Sequence, residues 1–251
     1  MHNPKVSIII SVLNGAKTID NCLNSIISQS YERYEIIVID GGSTDGTLDY
    51  LAKYRSHIYY YVSEPDSGIY NAWNKALKIA SGDWVSFLGA DDEFAESNTL
   101  ARLASRAHFP TFNYISGQAH LVDDSANVIR VIGKAFFSND LRNGMKFLHP
   151  GSLHHNSLFK LNGFFDESYK IAGDFDFFLR AKNFISADYI PIIIVRMGSG
   201  GISNNNKTHS ILESYRALKN INDFGHLSAL RFLVIAMLKS KLNSFLIKIN
   251  K

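Results

Sequence analysis

Four acidic clusters have residue types and spacings that could do chemistry. They are Asp40-Gly41-Gly42-Ser43-Thr44-Asp45-Gly46-Thr47, Ser63-Glu64-Pro65-Asp66-Ser67-Gly68-Ile69-Tyr70, Gly89-Ala90-Asp91-Asp92 and Gly173-Asp174-Phe175-Asp176. The adjacent pair Asp91 and Asp92 is the sharpest of these. Neighbouring carboxylates repel, and both stay ionised when a divalent cation sits between them and an anion such as a diphosphate. Hard oxygen ligands suit Mg2+ or Mn2+. The other acids carry two readings each. Asp40 beside two glycines is a turn-former as well as an acceptor for a ligand N–H. Asp66 precedes a helical pattern and could cap it. Asp174 and Asp176 fall in the first turn of another, where the helix dipole favours acids. Lys75 could reach a phosphate or simply lie on the surface. Three histidines crowd His149-Pro150-Gly151-Ser152-Leu153-His154-His155, but a chain with one cysteine, Cys22, and its acidic pair elsewhere is a poor candidate for zinc. Ser199-Gly200-Gly201-Ile202-Ser203 offers backbone amides to an anion, or is a plain surface loop.

The elements that must position these residues follow from periodicity. Apolar, β-branched runs at Val6–Val12, Glu35–Ile39, Ile58–Val62 and Trp84–Leu88 read as strands. Between them, Ile19 to Ile27, a segment with Leu48, Leu51 and Ala52 capped by Ser43 or Thr44, and Ile69 to Ala80 have helical spacing. This alternation predicts an α/β fold with a mostly parallel central sheet flanked by helices. Ligands of such sheets bind beyond the carboxyl ends of the strands, where Asp40, Asp66, Asp91 and Asp92 all fall. After about residue 112 the pattern changes. Tyr114–His120 and Asn127–Ile132 read as antiparallel strands around Asp123-Asp124, Gly173–Lys182 as a helix and Tyr189–Val195 as a strand. Residues 198–207 read as a loop, and 208–223 and 227–249 as C-terminal helices.

Composition narrows the class. The chain has 251 residues, 46% of them hydrophobic and 20% charged, and a net charge of +3. Disorder is excluded, and nothing in the charge argues for nucleic acid. Cys22 lies within a helical apolar pattern and is expected to pack. The run from Val6 to Leu13 is interrupted by Ser7 and Ser11 and reads as a buried strand, not a signal peptide. No stretch reaches the roughly 18 apolar residues of a membrane span, so a cytoplasmic location is expected. From Leu227 to Lys251 there are only basic charges, Arg231, Lys239, Lys241, Lys248 and Lys251, among Leu227, Leu230, Phe232, Leu233, Val234, Ile235, Met237, Leu238, Leu242, Phe245, Leu246 and Ile249. A basic, amphipathic helix of this kind lies on an anionic membrane surface, packs on the domain, or joins a homodimer.

Taken in order, the four clusters resemble glycosyltransferase family 2, the inverting transferases of the GT-A fold, over roughly residues 4–205. The Glu-Pro-Asp-x-Gly-Ile-Tyr segment brings the chain closer to bacterial O-antigen, capsule and exopolysaccharide transferases. The resemblance implies a GT-A domain over 1–207, with a nucleotide-sugar half at about 1–110 and an acceptor half at about 111–207. The helical segment 208–251 would then associate with membrane. Asp40 is implied to accept the N3–H of uracil, with Ser11, Leu13, Asn14, Asp66, Asp91 and Lys75 also on the nucleotide sugar. Leu13 stands where relatives often stack a tyrosine on the base. Asp92 is implied as the ligand of Mn2+ or Mg2+, assisted by Asp91, although Gly89 replaces an Asp common in relatives. Asp174 is implied as the catalytic base, with Gly173 in place of the usual Glu, and His149 and Asp176 on the acceptor side. The loop at 196–207 is expected to order over the diphosphate.

The implied reaction moves a hexose from a UDP-sugar to a polyprenyl-diphosphate-linked saccharide at the inner face of the membrane. Three other classes stand against it. A sugar nucleotidyltransferase would carry a basic, glycine-rich loop where this chain has Leu13-Asn14-Gly15-Ala16, and a Rossmann oxidoreductase would show G-x-G-x-x-G there. A nucleotide-sugar-binding protein without activity would have no use for Asp174.

Overall fold

The computed structural model describes residues 3–201 and 206–249. Ile202 and Ser203 of the glycine-rich loop and Lys251 of the basic tail lie outside them, as do the side chains of Phe245, Leu246, Lys248 and Ile249. The chain opens with β1 (Val6–Val12), α1 (Ile19–Ile27), β2 (Tyr34–Asp40), α2 (Thr47–Lys53), β3 (Tyr60–Ser63), α3 (Ile69–Ile79) and β4 (Trp84–Gly89). These four strands are parallel in the order β3-β2-β1-β4. The chain builds outward from β1 to β3, then α3 carries it back to the other side of β1. That reversal opens a crevice at the carboxyl ends of β1 and β4, where α/β sheets bind ligands.

The second half is mixed. It comprises β5 (Asp92–Phe94), α4 (Thr99–Ala104), β6 (Tyr114–Val122), β7 (Val128–Ile132), a 3-10 turn (Ser138–Asn143), β8 (Leu153–His155), α5 (Asn156–Asn162), α6 (Gly173–Ala181) and β9 (Ala187–Gly198). Strand β8 joins β4 antiparallel, and the sheet continues β8-β6-β9-β5, with β7 beside β6. The helices α7 (Lys207–Asn220) and α8 (Gly225–Ile249) close the described chain.

Strand β1 is covered on both faces, which explains its unbroken apolar run. Ile8 and Ile10 pack with Ile36 and Val38 under α1 and α2, while Ile9 faces Ile37 and Ile39 and the α3 side chains Ala72, Trp73 and Ala76. Cys22 is fully buried in the first of these cores, as its helical pattern implied. At the far end of the sheet from the crevice, buried Glu35 accepts hydrogen bonds from Lys5 Nζ (2.5 Å), Ser7 Oγ (2.6 Å) and both the N–H and hydroxyl of Ser81 (2.7 and 2.8 Å). Burial works to raise this carboxyl, but these bonds outweigh it and hold it below the usual carboxylate range.

Several expectations shift. Helix α2 begins at Thr47 behind Gly46, which takes the left-handed conformation at φ 96°; neither Ser43 nor Thr44 caps it. The Ser43 hydroxyl is committed instead to Asp40 and to the Asn14 N–H. Strand β3 starts at Tyr60, with Ile58 buried just before it, and β9 is longer at both ends than its apolar core. The proposed boundary at 207 separates elements that share one core: Ala217 and Leu218 of α7 and Ala229 of α8 are fully buried with Phe175, Phe177 and Phe178 of α6. Nor is α8 apolar on one side only. Ala229 and Phe232 face the domain, with the Phe232 ring 6.5 Å from that of Phe175, while Leu227, Leu230, Val234, Leu238 and Leu242 face outward.

Candidate active site

The site forms along the carboxyl ends of β1, β2, β3 and β4 and the start of α6. The loops after β1 and β2 are laced together. Asn14, at a left-handed φ of 54°, receives the Thr44 N–H on Oδ1 (2.9 Å). Asp45 receives the Ala16 N–H (3.0 Å), and the Thr47 hydroxyl receives the Gly15 N–H (2.9 Å).

Asp40 sits fully buried beneath this lacing. Its carboxylate accepts from the N–H groups of Gly42 (3.1 Å) and Ser43 (2.9 Å), from the Ser63 hydroxyl (2.6 Å) and from the Ser43 hydroxyl. Three of these donors converge on Oδ2, and the Ser43 hydroxyl takes Oδ1. Fully buried in this structure, the Asp40 side chain pins its own turn.

Asp66 occupies the open position instead. One oxygen accepts from the Gly68 N–H (2.8 Å), and the other lies 2.9 Å from where a Cβ on Gly41 would stand. The exposed Leu13 reaches within 3.5 Å of the same point. Leu13, Gly41 and Asp66 thus form one patch, an apolar shelf beside a carboxylate. The Asp66 side chain does not cap α3, whose start at Gly68 has no side-chain cap. Ser11 lies between Ile39 and Gly89 in the sheet register, directly behind this patch. Lys75 is ion-paired to Glu64 at 2.6 Å.

Asp91 and Asp92 converge over Gly89. A Cβ at Gly89 would lie 2.7 Å from Asp91 Oδ1 and 3.0 Å from Asp92 Oδ2. The place that a side chain would fill is occupied by two carboxylates. Asp92 is buried and accepts the Gly89 N–H at 3.0 Å, while Asp91 is exposed and reaches across to the bare Cα of Gly198 at the end of β9. Burial raises the Asp92 carboxyl well above the usual range and the Asp91 charge raises it further, while partial desolvation at the edge of the crevice raises Asp91. Among the described residues no group of three or more His, Cys, Asp or Glu could hold a metal. Two oxygen ligands at an open crevice fit a Mg2+ or Mn2+ ion that keeps its remaining positions for water and phosphate oxygens.

Asp174 stands in the first turn of α6, part-buried. Burial and then the charge of Glu213 raise its carboxyl to about 6, against the Phe175 N–H (2.8 Å) and the Tyr70 hydroxyl (3.3 Å), which work to lower it. Gly173 leaves room for the Tyr70 ring, whose atoms lie 2.7–2.9 Å from where a Cβ would be. A carboxylate in that range is ionised at neutral pH and still basic enough to take a proton in a transition state.

Two expected acceptor-side residues are placed in the interior. His149 is 1% exposed, its ring stacked on those of Trp73 (5.0 Å) and Phe87 (5.1 Å), which also meet each other at 4.8 Å. Burial, with His154 beside it, lowers its pKa well below the ordinary histidine value and keeps it neutral. Asp176 is buried in an ion pair with Arg180 at 2.8 Å, one helical turn on, and that guanidinium also donates to the carbonyls of Asn162 and Phe164. Of the glycine-rich loop, Ser199, Gly200 and Gly201 follow β9, whose last residue, Gly198, lies beside Asp91.

The sequence model described as Glycosyl transferase family 2 matches residues 7–168. The chain belongs to that family. A PGL/p-HBAD biosynthesis glycosyltransferase of Mycobacterium bovis is 32% identical over 212 residues, 81% of each chain. A glycosyltransferase of Mycobacterium tuberculosis without an assigned role is 29% identical, covering 87% of this chain and 84% of its own. Among solved structures, S. aureus TarS 1-349 in complex with UDP-GlcNAc superposes with a TM-score of 0.67 at 21% identity, over 93% of this chain and 71% of its own. A Pyrobaculum calidifontis mannosyltransferase in complex with GDP-Man and Mn2+ gives 0.65 at 20% identity, over 96% and 76%. These likenesses establish the GT-A fold of the transferase. Two residues of this site had no role in the sequence reading. Tyr70 was visible at the end of its motif, but its partner Asp174 is 104 positions away. Glu213 had no local signal at all.

Proposed function

We propose that the transferase moves a hexose, either glucose, galactose or an N-acetylhexosamine, from a UDP-sugar to a lipid-linked saccharide with inversion at C1, in the assembly of a bacterial surface polysaccharide such as O-antigen or capsule. The convergence of Asp91 and Asp92 over bare Gly89, at the point where the sheet order reverses, carries this reading. Mn2+ or Mg2+ held there supplies positive charge against the leaving diphosphate. Asp174 accepts the proton of the acceptor hydroxyl as that oxygen bonds to C1 and the bond from C1 to the diphosphate oxygen breaks. One displacement turns an α-linked donor into a β-linked product. Leu13 and Asp66 suit a nucleobase, the first as an apolar shelf and the second as an acceptor for a ring N–H. TarS with UDP-GlcNAc and the mannosyltransferase with GDP-Man and Mn2+ show that nucleotide sugars of two kinds are bound by proteins of this fold.

A thermal-shift panel of UDP, GDP and CMP, each with Mn2+ or EDTA, tests the donor class. A ligand at 100 times its Kd adds about 2.7 kcal/mol of stability. A rise in Tm with UDP plus Mn2+ and not with GDP or CMP is expected. A rise with GDP alone rejects uridine, and no rise with any nucleotide rejects the donor site.

The outward face of α8 supports a place at the inner membrane surface. Leu227 is 84% and Leu238 63% exposed, and Arg231, Lys239 and Lys241 lie exposed among these apolar residues without any acid. A patch of that kind on a folded protein marks an interaction surface, and its charge suits anionic lipid. No described helix is long and apolar enough to cross a membrane. Val234→Glu with Leu238→Glu alters only exposed positions. It is expected to abolish co-sedimentation with phosphatidylglycerol vesicles while leaving Tm within a few degrees. Undiminished co-sedimentation would remove this face from the interaction.

A further inference from the structure

We infer that Glu213, on the C-terminal helix α7, is a positioning residue that sets the loop from which Asp174 projects. This rests on the reading of Asp174 as the base. Glu213 is buried, and its carboxylate accepts hydrogen bonds from the N–H groups of three consecutive residues: Lys170 (2.9 and 3.1 Å), Ile171 (2.8 Å) and Ala172 (2.9 Å). Consecutive N–H groups turned toward one point form an anion nest. Here the anion is a side chain of the protein itself, delivered from 41 to 43 positions away. The gripped residues are the last three before α6 and Asp174.

A second contact fixes the same loop from the other side. The Tyr70 hydroxyl donates to the Ile171 carbonyl (2.6 Å) and lies 3.3 Å from Asp174 Oδ1, and its ring fills the space beside Gly173. The Ile171 peptide is thus held at its N–H by Glu213 and at its carbonyl by Tyr70. Removing the Glu213 carboxylate leaves three N–H groups, that of Ala172 buried and those of Lys170 and Ile171 part-buried, without their partner. The loop must then move to resatisfy them, and a shift of about 1 Å in a reacting group costs on the order of 100-fold in rate.

The groups facing Asp174 are Tyr70 from α3, Tyr114 from β6, Glu213 from α7 and the Phe175 N–H of its own helix. His209 approaches Glu213 at 3.6 Å. Of these, Glu213 contributes the negative charge that raises the Asp174 carboxyl. Its loss therefore shifts the rate in pH as well as in size.

The test uses the full chain carrying Glu213→Gln, which keeps the size but removes the charge and one acceptor oxygen. UDP release from UDP-glucose, UDP-galactose and UDP-N-acetylglucosamine is followed from pH 5 to 9 with water as acceptor, beside Asp174→Asn and with UDP affinity measured by calorimetry. The expected result is a kcat at least about tenfold lower, UDP affinity within twofold of the parent, and an acid limb displaced to lower pH. Unchanged kcat in a folded variant overturns the inference. So does a loss of kcat with the acid limb in place, or a parallel loss of UDP affinity. If Asp174→Asn turns over normally, the base assignment fails, whatever Glu213→Gln does. An inactive Asp174→Asn beside a fully active Glu213→Gln removes only the positioning role. Amide exchange in the parent protein gives a check that needs no variant: Lys170, Ile171 and Ala172 are expected to be protected, and rapid exchange at all three overturns the grip.

Discussion

Asp174→Asn is expected to stop sugar transfer while leaving nucleotide binding intact. General base catalysis is worth about 10²–10⁴-fold, so kcat should fall by that factor. The substitution removes the proton acceptor but keeps the shape and the hydrogen bonds with the Phe175 N–H and the Tyr70 hydroxyl. The parent enzyme should show an acid limb near pH 6. Burial first and the Glu213 charge second hold this carboxyl at about 6, so the fraction able to accept a proton is full above that value and is lost as pH falls through it. Because the folded protein holds this group above its ordinary pKa, ionising it costs stability above pH 6. Asparagine removes that cost, and Tm should be unchanged or higher at pH 7.5. A pH–rate profile of the parent and a single-turnover assay of the variant decide the matter. Normal turnover by Asp174→Asn would take the proton to another group.

The second large effect is expected from Asp92→Asn. Asparagine can still receive the Gly89 N–H through its carbonyl oxygen, so the turn after β4 should keep its shape. It cannot supply the negative charge that, with Asp91, would hold a cation against a diphosphate. UDP affinity in Mn2+ should drop to the value measured in EDTA, and kcat should fall at least about 100-fold, since charge stabilisation at the leaving oxygens is worth several kcal/mol. Titration calorimetry with UDP in each condition measures this. Retained Mn2+-dependent binding would place the cation away from Asp92. Asp92 is buried with a like charge beside it, so its neutral replacement should not destabilise the fold.

The sequence made some of this legible and not the rest, for physical reasons. Strand β1 showed itself because a strand covered on both faces must be apolar at every position but a few. The acidic pair at the end of β4 showed itself because adjacent carboxylates are costly unless used. Asp40 was harder. Whether its carboxylate faces a ligand or its own loop depends on where the Ser63 hydroxyl lands, 23 positions on and across a strand pair. His149 was legible as a histidine near the site but not as a ring clustered with Trp73 and Phe87, since those three residues come from separate parts of the chain. The pairing of Asp176 with Arg180 was in plain view at helical spacing and was passed over in favour of the acceptor. Short elements such as β5, β8 and α5 lack the length for a periodic signal, and their partners are chosen by the sheet.

The inward face of α8 has a practical meaning for how the enzyme can be cut. With Ala229 in the core and Phe232 against Phe175, the C-terminal helix is part of the masonry of the domain. A chain ended before residue 227 would not be a soluble version of the same catalyst. It would bare the flank of α6 and α7, where Phe175, Ala217 and Leu218 are buried. The segment is likewise a poor cassette for grafting onto another protein, because half of its apolar surface is shaped for this one. The outward face of this helix can be probed by changing side chains but not by removing residues.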